Sequence, residues 1–524
     1  MIKKLLITLI TLAIVLSVLV WFSFKTPEAK IDHLNIDANS KPVILLLVDS
    51  LMDKPLKKAM EEDRAPALSF LKNNGNYIPD VVSSYPTMSV TIDSSLLTGT
   101  YADQHQIPAL AWYKEEEQRL INYGSSASEI YKLGVKQVLN DSIQHLNKDH
   151  LNKDVSTIFE DLDDKQKQSA AINVLVYRGN QDHKLHIPRI ASTFDILPKN
   201  TDVKGPNLLS MGVLSQFSPE NNKNNNVWQG LGINDAFSVN EINYLIENDM
   251  LPSFTFAYLP DLDKHVHEKG QDDLQGIEEL DNRIAKILDA YPTWGEALEK
   301  MTILVYGDSG QAPIKENETE AQIDLTMLSD HYRIPKLGNP IEANDELMLG
   351  VNSRMSYIYL LEESLPISKM TEQLLPDDRI GFLAWKDEKG NHVLSGEIDK
   401  TLTFRPEGKF LDPYGKSWSI DGDPSALDIS VNEENRIKYG DYPDALARLY
   451  GALHSHEGRF LIVDAKPGYE FIGEGTPTHA GGAGHGSLNK EDSTTPLIIA
   501  GTESKPPHNR VIDFKEWILQ LTNE

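Results

Sequence analysis

One continuous apolar run and five similar ones place the strongest limit on the fold. Val43–Val48 lies in KPVILLLVDS and ends at Asp49. Similar runs recur at Ala171–Val176, Phe254–Tyr258, Ile303–Tyr306, Phe460–Val463 and Leu497–Ala500. A strand with one wet face alternates apolar and polar side chains. Runs without that alternation suit strands buried on both faces, as in parallel sheets. Helical patterns lie between several of them, at Leu56–Asn73, Val155–Gln168, Ile277–Ala290 and Ala445–His454. This alternation predicts an α/β fold with a doubly wound, mostly parallel sheet. Residues 315–480 interrupt it with Pro, Gly, Asp and short strand-like pieces such as SYIYLL at 356–361, which predicts a smaller α+β insertion. There is no internal repeat, and the Asn-rich stretch Asn221–Asn226 reads as a surface loop.

The N-terminus has a different character. Two lysines, Lys3 and Lys4, precede twenty uncharged residues, Leu5–Phe24. At 1.5 Å per residue such a helix spans the ~30 Å hydrocarbon core of a bilayer. The exit, WFSFKTPEAK, has no clear small-residue cleavage site. An uncleaved signal-anchor is expected, with the lysines inside and the rest of the chain outside the cytoplasm. Cleavage of the segment would give the same compartment, with the protein secreted. The resulting organisation is an anchor at 1–25, a tether at 26–40, a core at 41–314, the insertion at 315–480 and the end of the core at 481–524.

Charge and composition narrow the chemistry. Apolar residues make up 40% of the chain, enough for a large core, and the net charge is −28. That charge repels phosphate backbones and argues against a nucleic-acid-binding surface. A phosphate-ester substrate remains compatible where bound cations reverse the local sign. There is no cysteine, so thiolate metal sites, disulfides and Cys nucleophiles are excluded. Any metal site must use His and carboxylates.

In open α/β sheets ligands bind beyond the carboxyl ends of the strands. Asp49, Asp261 and Asp308 each follow such a run. Asp261 and His265 are four residues apart, which places both on one side of a helical turn, as a shared cation requires. Asp263, His267 and Glu268 occupy the same stretch and leave the pairing open. His485 stands between glycines in GGAGHGSL. Residues 83–107 read as a Ser/Thr-rich loop entering a helix, whose N-terminus favours phosphate oxygens and an ionised hydroxyl. GDSGQ at 307–311 echoes the nucleophile motif of chymotrypsin-like proteases. Here, however, it ends a buried run in a chain without disulfides, which excludes that reading.

Taken in order, VILLLVDS, YPTMS…LLTGTYADQHQI, YLPDLDKHVHEKG, LVYGDSGQ and GHGSL…TPLIIAG resemble the type I phosphodiesterase/nucleotide pyrophosphatase family of the alkaline-phosphatase superfamily. The resemblance implies two divalent cations, typically zinc, beside a Ser or Thr nucleophile. One cation would take Asp261, His265 and His485; the other would take Asp49, the nucleophile and Asp308. In the family the nucleophile stands ten positions before the Gly of the TG pair. Counting back from Gly99 selects Ser89, with Thr87 as the alternative.

Two positions depart from the family. Ser309 stands where a metal-ligating His is usual, and hydroxyl binds Zn²⁺ less well than imidazole does. The second site is therefore expected to be weaker and to accept Mn²⁺ or Mg²⁺, unless His267 or His479 supplies the imidazole. Leu110 stands where nucleotide pyrophosphatases carry a phosphate-contacting Asn. The expected activity is an exported metal-dependent phosphoesterase working through a phospho-Ser or phospho-Thr intermediate. The alternatives are an envelope phosphoryl-group transferase and a non-catalytic surface protein on a decayed scaffold.

Overall fold

The computed structural model describes residues 26, 41–188, 197, 200–396 and 400–523. Its central sheet has seven strands in the order Gly75–Val82, Thr494–Ala500, Thr302–Gly307, Val43–Val48, Phe254–Leu259, Ser169–Ile172 and Leu208–Ser210. Val43–Val48 runs parallel to both neighbours, and Ser169–Ile172 runs parallel to both of its own. Thr494–Ala500 is antiparallel to its two neighbours, so the sheet is mixed. Both faces are covered. Leu45 and Leu47 pack with the helices Ser89–Thr98, Ile158–Asp164 and Phe514–Leu521, while Ile44, Leu46 and Val48 pack with Asp53–Glu61, Asp235–Glu247 and Gln275–Leu288. Burial on both faces is the physical reason Val43–Val48 has no polar alternation.

The run Phe460–Val463 does not join this sheet. It forms the strand Phe460–Ala465 inside a second, wholly antiparallel seven-stranded sheet whose strands fall between Leu347 and Ala465. Phe460 and Ile462 face one apolar cluster of that sheet, and Leu461 and Val463 face the other. A doubly buried strand looks the same in sequence whichever sheet receives it.

Local chemistry breaks two other expected elements. The helix expected over Leu56–Asn73 is two helices, Asp53–Glu61 and Pro66–Asn73. They are split by Asp63 at φ 57° and by Pro66, which suits a first helical position and interrupts a helix interior. The run expected over Ala171–Val176 is a strand only over Ser169–Ile172, ending at Asn173 with φ 57°.

The Asn-rich stretch is not a surface loop. Asn221 and Asn225 are buried. Asn221 Nδ2 donates to Glu241 Oε1 at 2.6 Å, and Glu241 also accepts from Ser210 Oγ and from the Phe217 and Ser218 N–H groups. Carboxamides can satisfy a buried carboxylate that apolar side chains would leave bare.

Among the described residues no helix is long and apolar enough to cross a membrane. The run Leu5–Phe24 lies outside the described residues, as do residues 27–40 of the expected tether.

Candidate active site

Strand register builds the site. Val48 pairs with both Gly307 and Leu259, so Asp49, Asp308 and Pro260 emerge side by side at the carboxyl end of the sheet. The Ser50 N–H donates to Asp308 Oδ1 at 3.0 Å, and the Tyr258 hydroxyl donates to Asp49 Oδ2. Asp261 opens the helix Asp261–Lys269 directly beyond.

That helix decides which Asp–His pair meets His485. Asp263, His267 and His485 each offer a ligand atom within 4.8 Å of the others. Asp261 and His265, expected at that position, face the opposite flank. Asp261 exchanges hydrogen bonds with Asp235, its N–H donating to Asp235 Oδ1 at 3.0 Å and its Oδ2 accepting from the Asp235 N–H at 3.2 Å. His265 Nδ1 lies 3.1 Å from Asp273 Oδ2, and its Nε2 lies 3.6 Å from Glu279 Oε2. Two residues along a helix rotate a side chain by about 200°, so two pairs of equal spacing point to opposite sides.

The residues of the cluster fit a cation. His267 Nδ1 donates to the Ala483 carbonyl at 2.8 Å, and His485 Nδ1 donates to the Thr87 carbonyl. Each bond fixes the ring and commits the Nε2 atom to the site, the second-shell pattern of metal-binding histidines. His267 Nε2 is 3.1 Å from Asp263 Oδ1. With Nδ1 already donating, that approach requires an imidazolium or a cation in the proton's place.

Electrostatics point the same way. Burial pushes the Asp49 carboxyl well above its usual range, and the neighbouring Asp263 and Asp308 add to the shift. Burial also lifts Asp308, to about 6, against the hydrogen bonds it accepts from the Ser50 and Ser309 N–H groups. Desolvation would raise Asp263 too, but the charge of His267 overrides it and holds that carboxyl at about 2. Burial and the adjacent His267 depress His485 to about 4. Asp308 Oδ2 is buried without a hydrogen-bond partner, and so is Ser309 Oγ. Crowded carboxylates with an unsatisfied buried oxygen are relieved by a bound cation.

The two hydroxyl candidates are placed differently. Ser89 is the first residue of the helix Ser89–Thr98, whose first turn no side chain caps, and its hydroxyl lies next to the Asp308 carboxylate. Thr87 is buried, and its Oγ1 accepts the Gly486 N–H at 2.7 Å, so it ties the His485 loop to the nucleophile loop.

Several site residues gave little signal in the sequence. Gln311 Nε2 donates to Ser50 Oγ at 2.6 Å and to Asp263 Oδ1 at 2.8 Å. Asp93, one turn after Ser89, is buried with Oδ1 unpartnered. His479 stacks on His267 with centroids 4.2 Å apart, and its Nδ1 lies 2.7 Å from Glu470 Oε2. Only Asp263 and His267 had a readable pattern, the same four-residue spacing as Asp261 and His265.

A family model described as type I phosphodiesterase/nucleotide pyrophosphatase matches residues 43–487. Among solved structures, murine ectonucleotide pyrophosphatase/phosphodiesterase 5 aligns over 92% of this chain and 95% of its own, with 13% identity and a TM-score of 0.54. Its human counterpart aligns over 92% and 95%, with 13% identity and a TM-score of 0.51. An inactive variant of the murine protein in complex with AMP aligns over 93% and 95%, with 13% identity and a TM-score of 0.53. At that identity these structures speak for the fold. No curated protein matches the chain.

Proposed function

Since the chain belongs to the type I phosphodiesterase/nucleotide pyrophosphatase family, we propose that it is a metal-dependent phosphoesterase with Ser89 as nucleophile. The observation that carries this reading is the meeting of Asp263, His267 and His485 at the strand ends where Asp49 and Asp308 also emerge, with Ser89 beside Asp308. Asp263, His267 and His485 would hold one divalent cation, for which zinc suits the nitrogen-containing set. Asp49, Asp308 and Ser89 would hold a second, harder ion. When bound, the cations supply a lowered hydroxyl pKa and charge neutralisation at the phosphoryl group.

The chain's own residues do the rest. Asp308 faces the Ser89 hydroxyl and would orient it. The uncapped N-terminus of Ser89–Thr98 presents N–H groups and the positive end of the helix dipole to the phosphoryl oxygens. Ser89 Oγ attacks phosphorus, the alcohol of the ester departs, and phospho-Ser89 passes its group to water. The substrate is a phosphate ester, and the AMP complex of the murine relative makes a nucleotide one candidate. Leu110 packs against the apolar core and gives no polar contact to a phosphate, which favours other esters. The catalytic domain would lie outside the cytoplasm, tethered by Leu5–Phe24.

The test is elemental analysis of the purified protein beside activity on bis-p-nitrophenyl phosphate and p-nitrophenyl phosphate. Bound metal with Ser89-dependent turnover supports the proposal. A metal-free protein inert with added Zn²⁺ and Mn²⁺ would sink it. Product analysis with and without acceptor alcohols separates hydrolysis from transfer.

A further inference from the structure

Thr26 lies two residues beyond the apolar run Leu5–Phe24, and it is 4% exposed. The Asn222 carboxamide bonds both the Thr26 N–H and the Thr26 carbonyl. Asn222 Oδ1 accepts the Thr26 N–H at 3.1 Å, and Asn222 Nδ2 donates to the Thr26 carbonyl at 3.3 Å. Thr26 Oγ1 donates to the Val213 carbonyl at 2.7 Å. Asn225 supports the clamp by donating to Gln216 Oε1 at 3.1 Å, and Gln216 in turn donates to the Thr26 carbonyl. The Asn-rich stretch therefore holds the chain within about 7 Å of the end of the apolar run.

The chain leaves this clamp straight into an exposed apolar loop. Trp228 is 79% exposed, Val227 54%, Ile233 40% and Leu231 36%. The loop is braced. Asn234 Nδ2 donates to the Asn224 and Gln229 carbonyls, closing its base. A Cβ on Gly212 would lie 2.3 Å from the Leu231 carbonyl oxygen, so the glycine permits close backbone packing there. Gly230 and Leu231 take φ of 62° and 56°, the left-handed region that a leucine rarely occupies. A fold that spends backbone strain to display apolar side chains marks a contact surface.

We infer that residues 227–233 are a membrane-contact loop, seated in the headgroup region of the bilayer that Leu5–Phe24 enters. The bilayer is the occupant because Thr26, two residues past the apolar run, is held by the stretch that leads into the loop, and because Trp prefers the membrane–water interface. With a net charge of −28 the attachment works by apolar insertion, without attraction to anionic lipid. The loop runs directly into the helix Asp235–Glu247, whose first residue exchanges hydrogen bonds with Asp261. The contact thus sets the position of the candidate cation centre relative to the membrane. This inference rests on the reading of Leu5–Phe24 as an uncleaved anchor.

The chain has no cysteine, so single labels are clean. Full-length Trp228→Cys, Val227→Cys, Met327→Cys and Ser17→Cys are each spin-labelled in phosphatidylcholine nanodiscs, and collision with oxygen and with a nickel chelate is measured. Oxygen accessibility exceeding nickel at 17, 227 and 228, with the reverse at the exposed Met327 position, is the expected result. If 17 is in lipid but 227 and 228 favour nickel, the loop is in water and the inference fails alone. If 227 and 228 are shielded from both agents, a protein surface covers the loop and the inference also fails. Nickel exceeding oxygen at 17 overturns the anchor reading, and the loop inference with it.

Discussion

His267 Nε2 stands 3.1 Å from Asp263 Oδ1, one helical turn along the same face, while the equally spaced Asp261 and His265 turn away to Asp235 and Asp273. The two pairs make opposite claims on the first cation, and substitution separates them. Asp263→Asn or His267→Ala should weaken zinc retention by at least about a hundredfold, more than a second-shell change does. Asp261→Asn and His265→Ala should leave it within about tenfold. Zinc titration of the chelated variants, followed by calorimetry, is the measurement. Stronger loss in the Asp261 and His265 variants would return the site to the other helix face.

Ser89→Ala should remove at least about a thousandfold of phosphodiesterase activity, the scale of losing a covalent nucleophile, with little change in stability. Thr87→Ala should behave differently. It leaves the buried Gly486 N–H without its acceptor and should cost about 1–3 kcal/mol in urea unfolding, with a smaller loss of turnover. If Thr87→Ala abolishes turnover while Ser89→Ala retains it, the nucleophile is Thr87.

The second cation should be held less firmly than the first. Asp49, Asp308, Ser89 and Ser309 offer oxygen only, whereas His267 and His485 lie with Asp263. Mild dialysis should remove about one ion per chain, and Mn²⁺ should restore activity as well as Zn²⁺ does. Ser309→His should raise zinc affinity at that site. Equal retention of two zinc ions through dialysis is the contrary result.

Buried groups should tilt the stability of the metal-free protein in opposite directions with pH. His105 and His150 are buried neutral imidazoles with pKa values lowered by burial to about 3. His105 Nδ1 accepts the Ile107 N–H, a bond that protonation destroys. A depressed His pKa contributes stability that is full above the unfolded value near 6.5 and is lost as pH falls below it, by up to about 1.4 kcal/mol per histidine per pH unit. Glu241 works in the other direction. Burial raises it to about 7, so its contribution is full below about 4.5 and is lost as pH rises through 7. Melts in chelator at pH 5 and 8 should show His150→Phe losing less stability than the parent on going to pH 5, and Glu241→Gln losing less on going to pH 8. Variants whose pH dependence matches the parent's would contradict it.

Much of this protein was legible in its sequence because the signals are local. Val43–Val48, Phe254–Leu259 and Thr302–Gly307 are apolar-rich strands without polar alternation, and burial on both faces leaves that mark. The motif order and the register to Gly99, both counted along the chain, give Ser89 as the proposed nucleophile with Thr87 as the alternative. Tertiary structure decided what depends on direction or on distant partners. Phe460–Ala465 reads like a core strand, yet only pairing with Met355–Leu360 and Ile380–Asp387 assigns it to the second sheet. Asn221–Asn226 reads as a loop because nothing nearby announces Glu241 or Thr26, the buried groups it satisfies. Spacing of four residues says that Asp and His share a helix face, for both pairs alike. Which face meets His485, more than two hundred residues away, is fixed by how that helix rolls onto the end of the sheet.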